Sequence, residues 1–145
     1  MSEFDESDAT LAALSIVTRL QMTARRIVIA DDDPDSLDLL RRSRWRSATV
    51  LREATNGSDL MNLLVTEGPF DLIVTDVHMP PVEGLQVLRA ARLAQIQTPV
   101  PVVTGLTRPD LRAKFERLGR ARVCHKPLAL SELRGPIAAL QAEQV

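Results

Sequence analysis

Short apolar runs, each ending in a polar or charged group, alternate along most of this chain with longer stretches whose apolar residues recur at helical spacing. Ile27 to Ala30 form the first run, and three carboxylates, Asp31, Asp32 and Asp33, close it ahead of Pro34. A run this brief and this continuous predicts a buried strand rather than a helix. Leu37, Leu39 and Leu40 predict the helix that follows, and Thr49 to Ala54 a second strand. Asn56-Gly57 reads as a turn; Ser58 is then placed to cap a helix with Leu60, Met61, Leu63 and Leu64 inward, ended by Gly68-Pro69. Leu72, Ile73 and Val74 make a third strand, with Asp76 just beyond it and Pro80-Pro81 closing the segment. Leu85, Leu88 and Ile96 mark a third helix, and Val100 to Val103 a fourth strand that ends in Thr104-Gly105. Thr107 stands three residues before Asp110, a capping-box-like start for a helix with Leu111, Phe115 and Leu118 on one face. Ala121 to His125 is the fifth strand, closed by Lys126-Pro127, and Leu133, Ile137 and Leu140 give the face of a last helix.

Strands alternating with helices in this way imply right-handed βαβ crossovers, hence a parallel sheet with helices on both faces in a doubly wound α/β domain. In such sheets ligands gather beyond the carboxyl ends of the strands. The Asp31 to Asp33 cluster, Asp76, Thr104 and Lys126 all fall at strand ends of this kind, so the topology is expected to bring them around one pocket.

Composition sets the limits of this reading. The chain of 145 residues is 45% hydrophobic and 26% charged, enough for one globular domain with a short appendage. The domain is expected over residues 25–145, with residues 1–24 as an N-terminal extension. Glu3, Asp5, Glu6 and Asp8 make the start of that extension acidic and predict disorder, while Leu11, Leu14 and Val17 recur at helical spacing and predict a short extra helix. Acids before this piece, and Thr18, Arg19 and Gln21 interrupting it, exclude a signal peptide or a membrane span. A net charge of -1 supplies no basic field for nucleic acid or an anionic membrane. Arg41, Arg42, Arg44, Arg46 and Arg52 cluster locally against Glu53, which reads as a solvated helix face. Cys124, the only cysteine, lies in an apolar run and reads as a small core residue of a protein in a reducing compartment.

The segments A-D-D-D-P, V-T-D-V-H-M-P-P-V-E-G, P-V-V-T-G and H-K-P, in this order at the ends of successive strands, resemble the receiver domain of two-component response regulators. The resemblance covers Arg25 to about Gln141. It implies a flavodoxin-like fold with strand order 2-1-3-4-5, and a phosphoryl group accepted on Asp76 from a phosphohistidine of a sensor histidine kinase or phosphotransfer protein. It also implies that Asp32 and Asp76 hold Mg²⁺ directly, that Asp31 acts through water, and that the His78 backbone carbonyl adds a ligand. The family's hydrophobic-Asp-Asp pattern leaves Asp33 out. Lys126 would neutralise a phosphoryl oxygen, and Thr104 would donate its hydroxyl to another, assisted by the Gly105 amide.

The chemistry is consistent with these residue types. A carboxylate attacking phosphorus approaches an anion through a loose transition state, so the site needs cations more than acid or base catalysts. Asp31, Asp32 and Asp76 form a hard-oxygen cluster that repels itself without a divalent cation, and Mg²⁺ suits such ligands. The expected role is that of a switch rather than an enzyme: a phosphoprotein carrying an aspartyl phosphate within a phosphorelay, with slow autodephosphorylation tuned by His78 and Leu106. His125 is expected to point away from the site by strand alternation.

Three departures qualify the resemblance. Val123 occupies the fifth-strand position where the family carries a Tyr or Phe switch, and the chain has no Tyr. Gly135-Pro136 interrupts the last helix, which is expected to kink or to start at Pro136 and so weakens the case for a dimer through the last two helices. Pro101 lies within the fourth strand. Two other readings stand beside the phosphoacceptor: a phosphorylation-independent protein-binding module, which the missing aromatic permits, and a small aspartyl-phosphate hydrolase. The hydrolase would need Asp31 or Asp33 as nucleophile and an acidic pair after Lys126, where only Glu132 and Glu143 follow. A cytoplasmic monomer or weak homodimer is expected, with no direct nucleic-acid or membrane contact by this domain and no output domain identified.

Overall fold

The computed structural model describes residues 25–42, 48–80, 82–105 and 108–126, together with Gly135, Ile137, Ala139 and Leu140. The elements alternate as β1 (Arg26–Ala30), α1 (Pro34–Arg42), β2 (Val50–Ala54), α2 (Gly57–Thr66), β3 (Leu72–Thr75), α3 (Gly84–Leu93), β4 (Val100–Thr104), α4 (Pro109–Arg117) and β5 (Ala121–His125). All four strand pairings are parallel, and the order across the sheet is β2-β1-β3-β4-β5. This is the flavodoxin-like arrangement, in which the order reverses between β1 and β3 and leaves a crevice at their carboxyl ends.

Both faces of the sheet are covered, which is why the central strands are apolar throughout. Successive side chains point to opposite faces. Val28, Ala30 and Ile73 therefore join one core with Leu60, Leu64, Val87, Leu88 and Phe115 from α2, α3 and α4. Ile27, Ile29, Leu72 and Val74 join a second core with Leu37 and Leu40 of α1 and with Ile137. Ile137 and Leu140 are fully buried in the helical segment after β5. Each such side chain contributes roughly 1.5–3 kcal/mol of burial free energy.

Several local expectations are corrected. The cap of α2 is Asn56, whose extended backbone lets its Oδ1 accept the Asp59 amide at 2.8 Å, and Ser58 lies inside the helix. Leu39 points outward, 54% exposed, because Leu37 and Leu40 already fill the inward stripe of α1. Ile96 lies beyond the end of α3, where its carbonyl accepts the Arg92 guanidinium at 2.6 Å. Arg92 also donates to Gly119 at 2.9 Å, and burial pulls its pKa down to about 10. Gly119 and Arg120, both at positive φ, form the turn that Arg92 clamps. The helix α4 takes Arg108 as its N-cap with Pro109 at the first turn; Thr107 lies outside the described residues. Gly135 is itself helical, so the last helix does not begin at Pro136, a residue outside the described set. Residues 1–24, Arg44, Arg46 and Leu133 lie outside it as well. Pro101 is buried in β4, which pairs with β5 along its length but with β3 only at Thr75 and Val102; a missing N–H accounts for a weakened ladder there.

Phe115 is the one fully buried residue of α4. Phe115→Ala is expected to lower unfolding free energy by about 3–5 kcal/mol, read as a shift of the urea midpoint at unchanged slope.

Candidate functional site

The parallel ladders run one step past the strands and fix the backbone of the residues at their ends. The Asp31 amide donates to Ala54 at 3.1 Å, the Asp76 amide to Ala30 at 3.0 Å, and the Lys126 amide to Thr104 at 2.7 Å. These bonds carry Asp31, Asp76 and Lys126 to the same edge of the sheet. The Lys126 ammonium lies 2.8 Å from Asp31 Oδ2 and 3.2 Å from Asp76 Oδ2. Its long stem crosses from the sheet's edge strand to the two strands at its centre.

Asp31 and Asp76 are buried, while Asp32 faces solvent, and one carboxylate oxygen from each of the three lies within 4.8 Å of the others. Burial pushes the Asp31 carboxyl above its ordinary range, and the Asp76 charge adds to this against the pull of Lys126 and the Asp33 amide. Burial opposes the Lys126 ammonium too, but the bond to Asp31 and the two carboxylate charges outweigh it and raise its pKa. Three carboxylates against one ammonium leave negative charge in surplus. A hard-oxygen donor set with two oxygens held inside and one at the mouth fits a hard divalent cation.

Asp33 takes a different part. Its carboxylate accepts the Ser36 hydroxyl at 2.8 Å at the start of α1, and that bond holds it below the ordinary range. Thr104 is buried at the end of β4, and Gly105 behind it is exposed. His78 is exposed, with Nδ1 3.2 Å from Glu83 Oε2. His125 is exposed beside Lys126 and contacts none of the clustered aspartates.

Two backbone positions of the V-T-D-V-H-M-P-P-V-E-G segment that the sequence did not single out, Gly84 and the Val77 amide, also shape the site. Val77 N–H donates to Asp76 Oδ1 at 2.6 Å and so orients the carboxylate. The Gly84 amide donates back to Val77 at 2.9 Å, and a Cβ on Gly84 would stand 2.3 Å from the Asp76 carbonyl oxygen. The turn after β3 can fold over Asp76 only because this residue has no side chain.

A family model described as the response regulator receiver domain matches residues 27–138. Response regulator protein PilR of Pseudomonas aeruginosa is 32% identical over 117 residues, 81% of this chain and 26% of that protein. Transcriptional regulatory protein PrrA of Mycobacterium bovis is 31% identical over 119 residues, 82% of this chain and 51% of that protein. The chain thus spans about half or less of the length of these relatives. A solved CheX-CheY-BeF3-Mg complex from Borrelia burgdorferi superposes with a TM-score of 0.73 at 18% identity, over 80% of this chain and 88% of that one, a likeness of fold. Among the described residues no helix is long and apolar enough to cross a membrane.

Gly84→Ala is expected to destabilise the chain by about 1–3 kcal/mol, whereas Gly105→Ala, where a Cβ meets open space, changes it by less than about 0.5 kcal/mol. Because the folded pKa of Asp31 is raised, its favourable contribution is complete at acid pH and is lost as the pH rises through that raised value. In metal-free neutral buffer Asp31→Asn is therefore expected to be more stable than the native chain. Chemical denaturation across pH checks this, with the difference shrinking as the pH falls through the raised value and levelling off below the ordinary carboxylate value of 3.8.

Proposed function

The chain belongs to the response regulator receiver domain family, and on that footing we propose that Asp76 accepts a phosphoryl group from a phosphohistidine on a sensor histidine kinase or phosphotransfer protein. The observation that supports this most directly is the Lys126 ammonium shared between Asp31 and Asp76, at 2.8 and 3.2 Å. It places a compact positive charge beside the buried Asp76 carboxylate.

In the transfer, a carboxylate oxygen of Asp76 forms a bond to phosphorus as the phosphorus–nitrogen bond of the donor breaks, its electron pair returning to the imidazole. The Val77 amide orients the attacking carboxylate, and Lys126 turns from the carboxylates toward a phosphoryl oxygen. Thr104 and the Gly105 amide donate to the others. Asp31, Asp32 and Asp76, with the His78 carbonyl, would hold a Mg²⁺ ion, which would supply further neutralisation of the phosphoryl charge. Phosphorylation adds strong acceptor oxygens at the sheet edge, and Thr104 moving toward them draws on the segment that leads into α4, so the chain shifts population between two surfaces. Hydrolysis of the acyl phosphate is slow, and His78 and Leu106 tune it; Leu106 lies outside the described residues. The setting is the cytoplasm, and the domain makes no direct contact with nucleic acid. The complete set of Asp31, Asp32, Asp76 and Lys126 supports this reading over a phosphate-independent binding module.

Intact-mass measurement after treatment with acetyl phosphate tests the proposal. One phosphoryl adduct is expected on the native chain with Mg²⁺, none with chelator and none on Asp76→Asn. Labelling of Lys126→Ala is expected to slow by about two orders of magnitude, the scale of losing one preorganised charge. A folded native chain that takes no adduct with Mg²⁺ present would overturn it.

A further inference from the structure

At the pole of the sheet away from the clustered aspartates, two arginines come together with no acid between them. Arg92 lies in the last turn of α3, and Arg120 immediately precedes β5. Lys126 immediately follows the same strand, so Arg120 stands about 20 Å from it along the chain direction. Arg92 is fully committed. Its Nη1 donates to the Ile96 carbonyl at 2.6 Å, and its Nε and Nη2 donate to the Gly119 carbonyl at 3.2 and 2.9 Å. Arg120 is the opposite case: its Nε and Nη2 are closed off from solvent and have no hydrogen-bond partner. No described carboxylate forms an ion pair with either arginine.

Nε and Nη2 share one edge of the guanidinium, and their two parallel N–H groups match the two oxygens of a carboxylate or phosphoryl group. The chain uses this edge in that way twice: Arg108 gives the same two nitrogens to Asp110, and Arg41 gives them to Glu53. On Arg120 the edge is enclosed without an acceptor, which is destabilising for a charged donor. The second cation adds to this, since burial and the Arg120 charge both pull the Arg92 pKa down. The backbone adds strain as well. Arg120 has φ 54, in the left-handed region that glycine or asparagine enters more readily than arginine, and Gly119 before it has φ 83. An arginine at this position is therefore explained by its guanidinium and not by the turn. A Cβ on Gly119 would meet nothing within 4 Å, so the turn has open space on one side.

We propose that the edge formed by Arg120 Nε and Nη2, with the Arg92 guanidinium beside it, is a binding site for the carboxylate or phosphoryl group of a small anion. The two Arg120 N–H groups donate to two oxygens of the ligand. Arg92, tied to the same turn through the Gly119 and Arg120 carbonyls, supplies the second positive charge. Because the two nitrogens are enclosed, the anion enters as the Gly119-Arg120 turn moves toward its open side. A small ligand can be taken in this way, and a folded partner cannot. Occupancy would fasten the end of α3 to the start of β5. The site does not depend on phosphoryl acceptance at Asp76, so it can be tested on the unmodified chain.

The test is an NMR titration of the ¹⁵N-labelled full chain in metal-free buffer, with acetate or inorganic phosphate replacing chloride at constant ionic strength, and a further arm in which chloride alone rises. The Arg120 Nε–H signal is expected to shift and saturate with acetate or phosphate, together with amides of residues 92–96 and 118–121. Rising chloride should leave them in place. Tighter saturation by acetate assigns a carboxylate ligand, and tighter saturation by phosphate a phosphoryl one. Arg120→Lys keeps the charge but loses the fork, and should weaken binding about tenfold or more, the scale of losing a charge-assisted bond. Arg120→Asn, which accepts the left-handed backbone, removes both and should abolish the shifts. Equal shifts with chloride, or affinity unchanged in either variant, overturns the site. So does an Nε–H signal on the native chain that ignores every anion, the result that an enclosed water would give.

Discussion

The ammonium of Lys126 between two buried carboxylates is the contact on which the site depends. Asp31 and Asp76 follow adjacent strands, so the parallel register of β1 and β3 forces their charges together. Burial alone would drive one of them to take up a proton, as the raised pKa of Asp31 records. Lys126 offsets that tendency from two strands away, which is possible only because β4 lies between and the lysine stem spans it. Strand order, side-chain length and charge balance are therefore one constraint. On the proposed function, a phosphoryl group arriving at Asp76 would change all the terms of that balance at once, and the Lys126 cation would then have a stronger anion to face. The edge of the sheet would then be the place where a local change of charge is answered by movement.

Most of the fold was legible because the central strands are buried on both faces, and Ile27 to Ala30 or Leu72 to Val74 have no polar position to blur the pattern. What could not be read was which core each side chain joins. Ile27 and Val28 are equivalent as letters, and only the pairing of β1 with its helices sends one toward α1 and the other toward α2. Caps were ambiguous for a similar reason. Asn56 and Ser58 are both competent, and the decision falls to the residue where the backbone is still extended, which is Asn56. Leu39 was misjudged because three leucines in four positions exceed the width of the inward stripe.

In the site, the aspartates and the lysine announced themselves by standing after strands. The separation of Asp33 from Asp31 and Asp32 rested on a family pattern, and the structure supplies the physical side of it. Asp33 is the first of the three that lies close enough to α1 to bond Ser36. The parts of Gly84 and Val77 were out of reach, since they arise from a turn folding back on Asp76, and nothing in the letters gives that distance. His78 and Glu83 likewise meet only because the same turn brings residues five apart together.

The helices are not anchored equally, and the difference bears on how a charge at Asp76 is transmitted. The helix α3 buries Gly84, Val87, Leu88 and Ala91, so its start and its middle are both fixed. The helix α4 buries Phe115 alone, with Leu111 and Leu118 only partly covered, and its start is held by exposed arginine contacts. Local stability follows buried apolar contact. Among the helices described over their whole length, α4 buries the fewest residues, and its start lies directly downstream of Thr104. Position 123 carries no aromatic, and a bond from Arg112 to the Val123 carbonyl ties α4 to β5. On the proposed function, a displacement begun at Thr104 would therefore meet its least resistance in α4, pivoting on Phe115, while the strands that hold the carboxylates stay fixed.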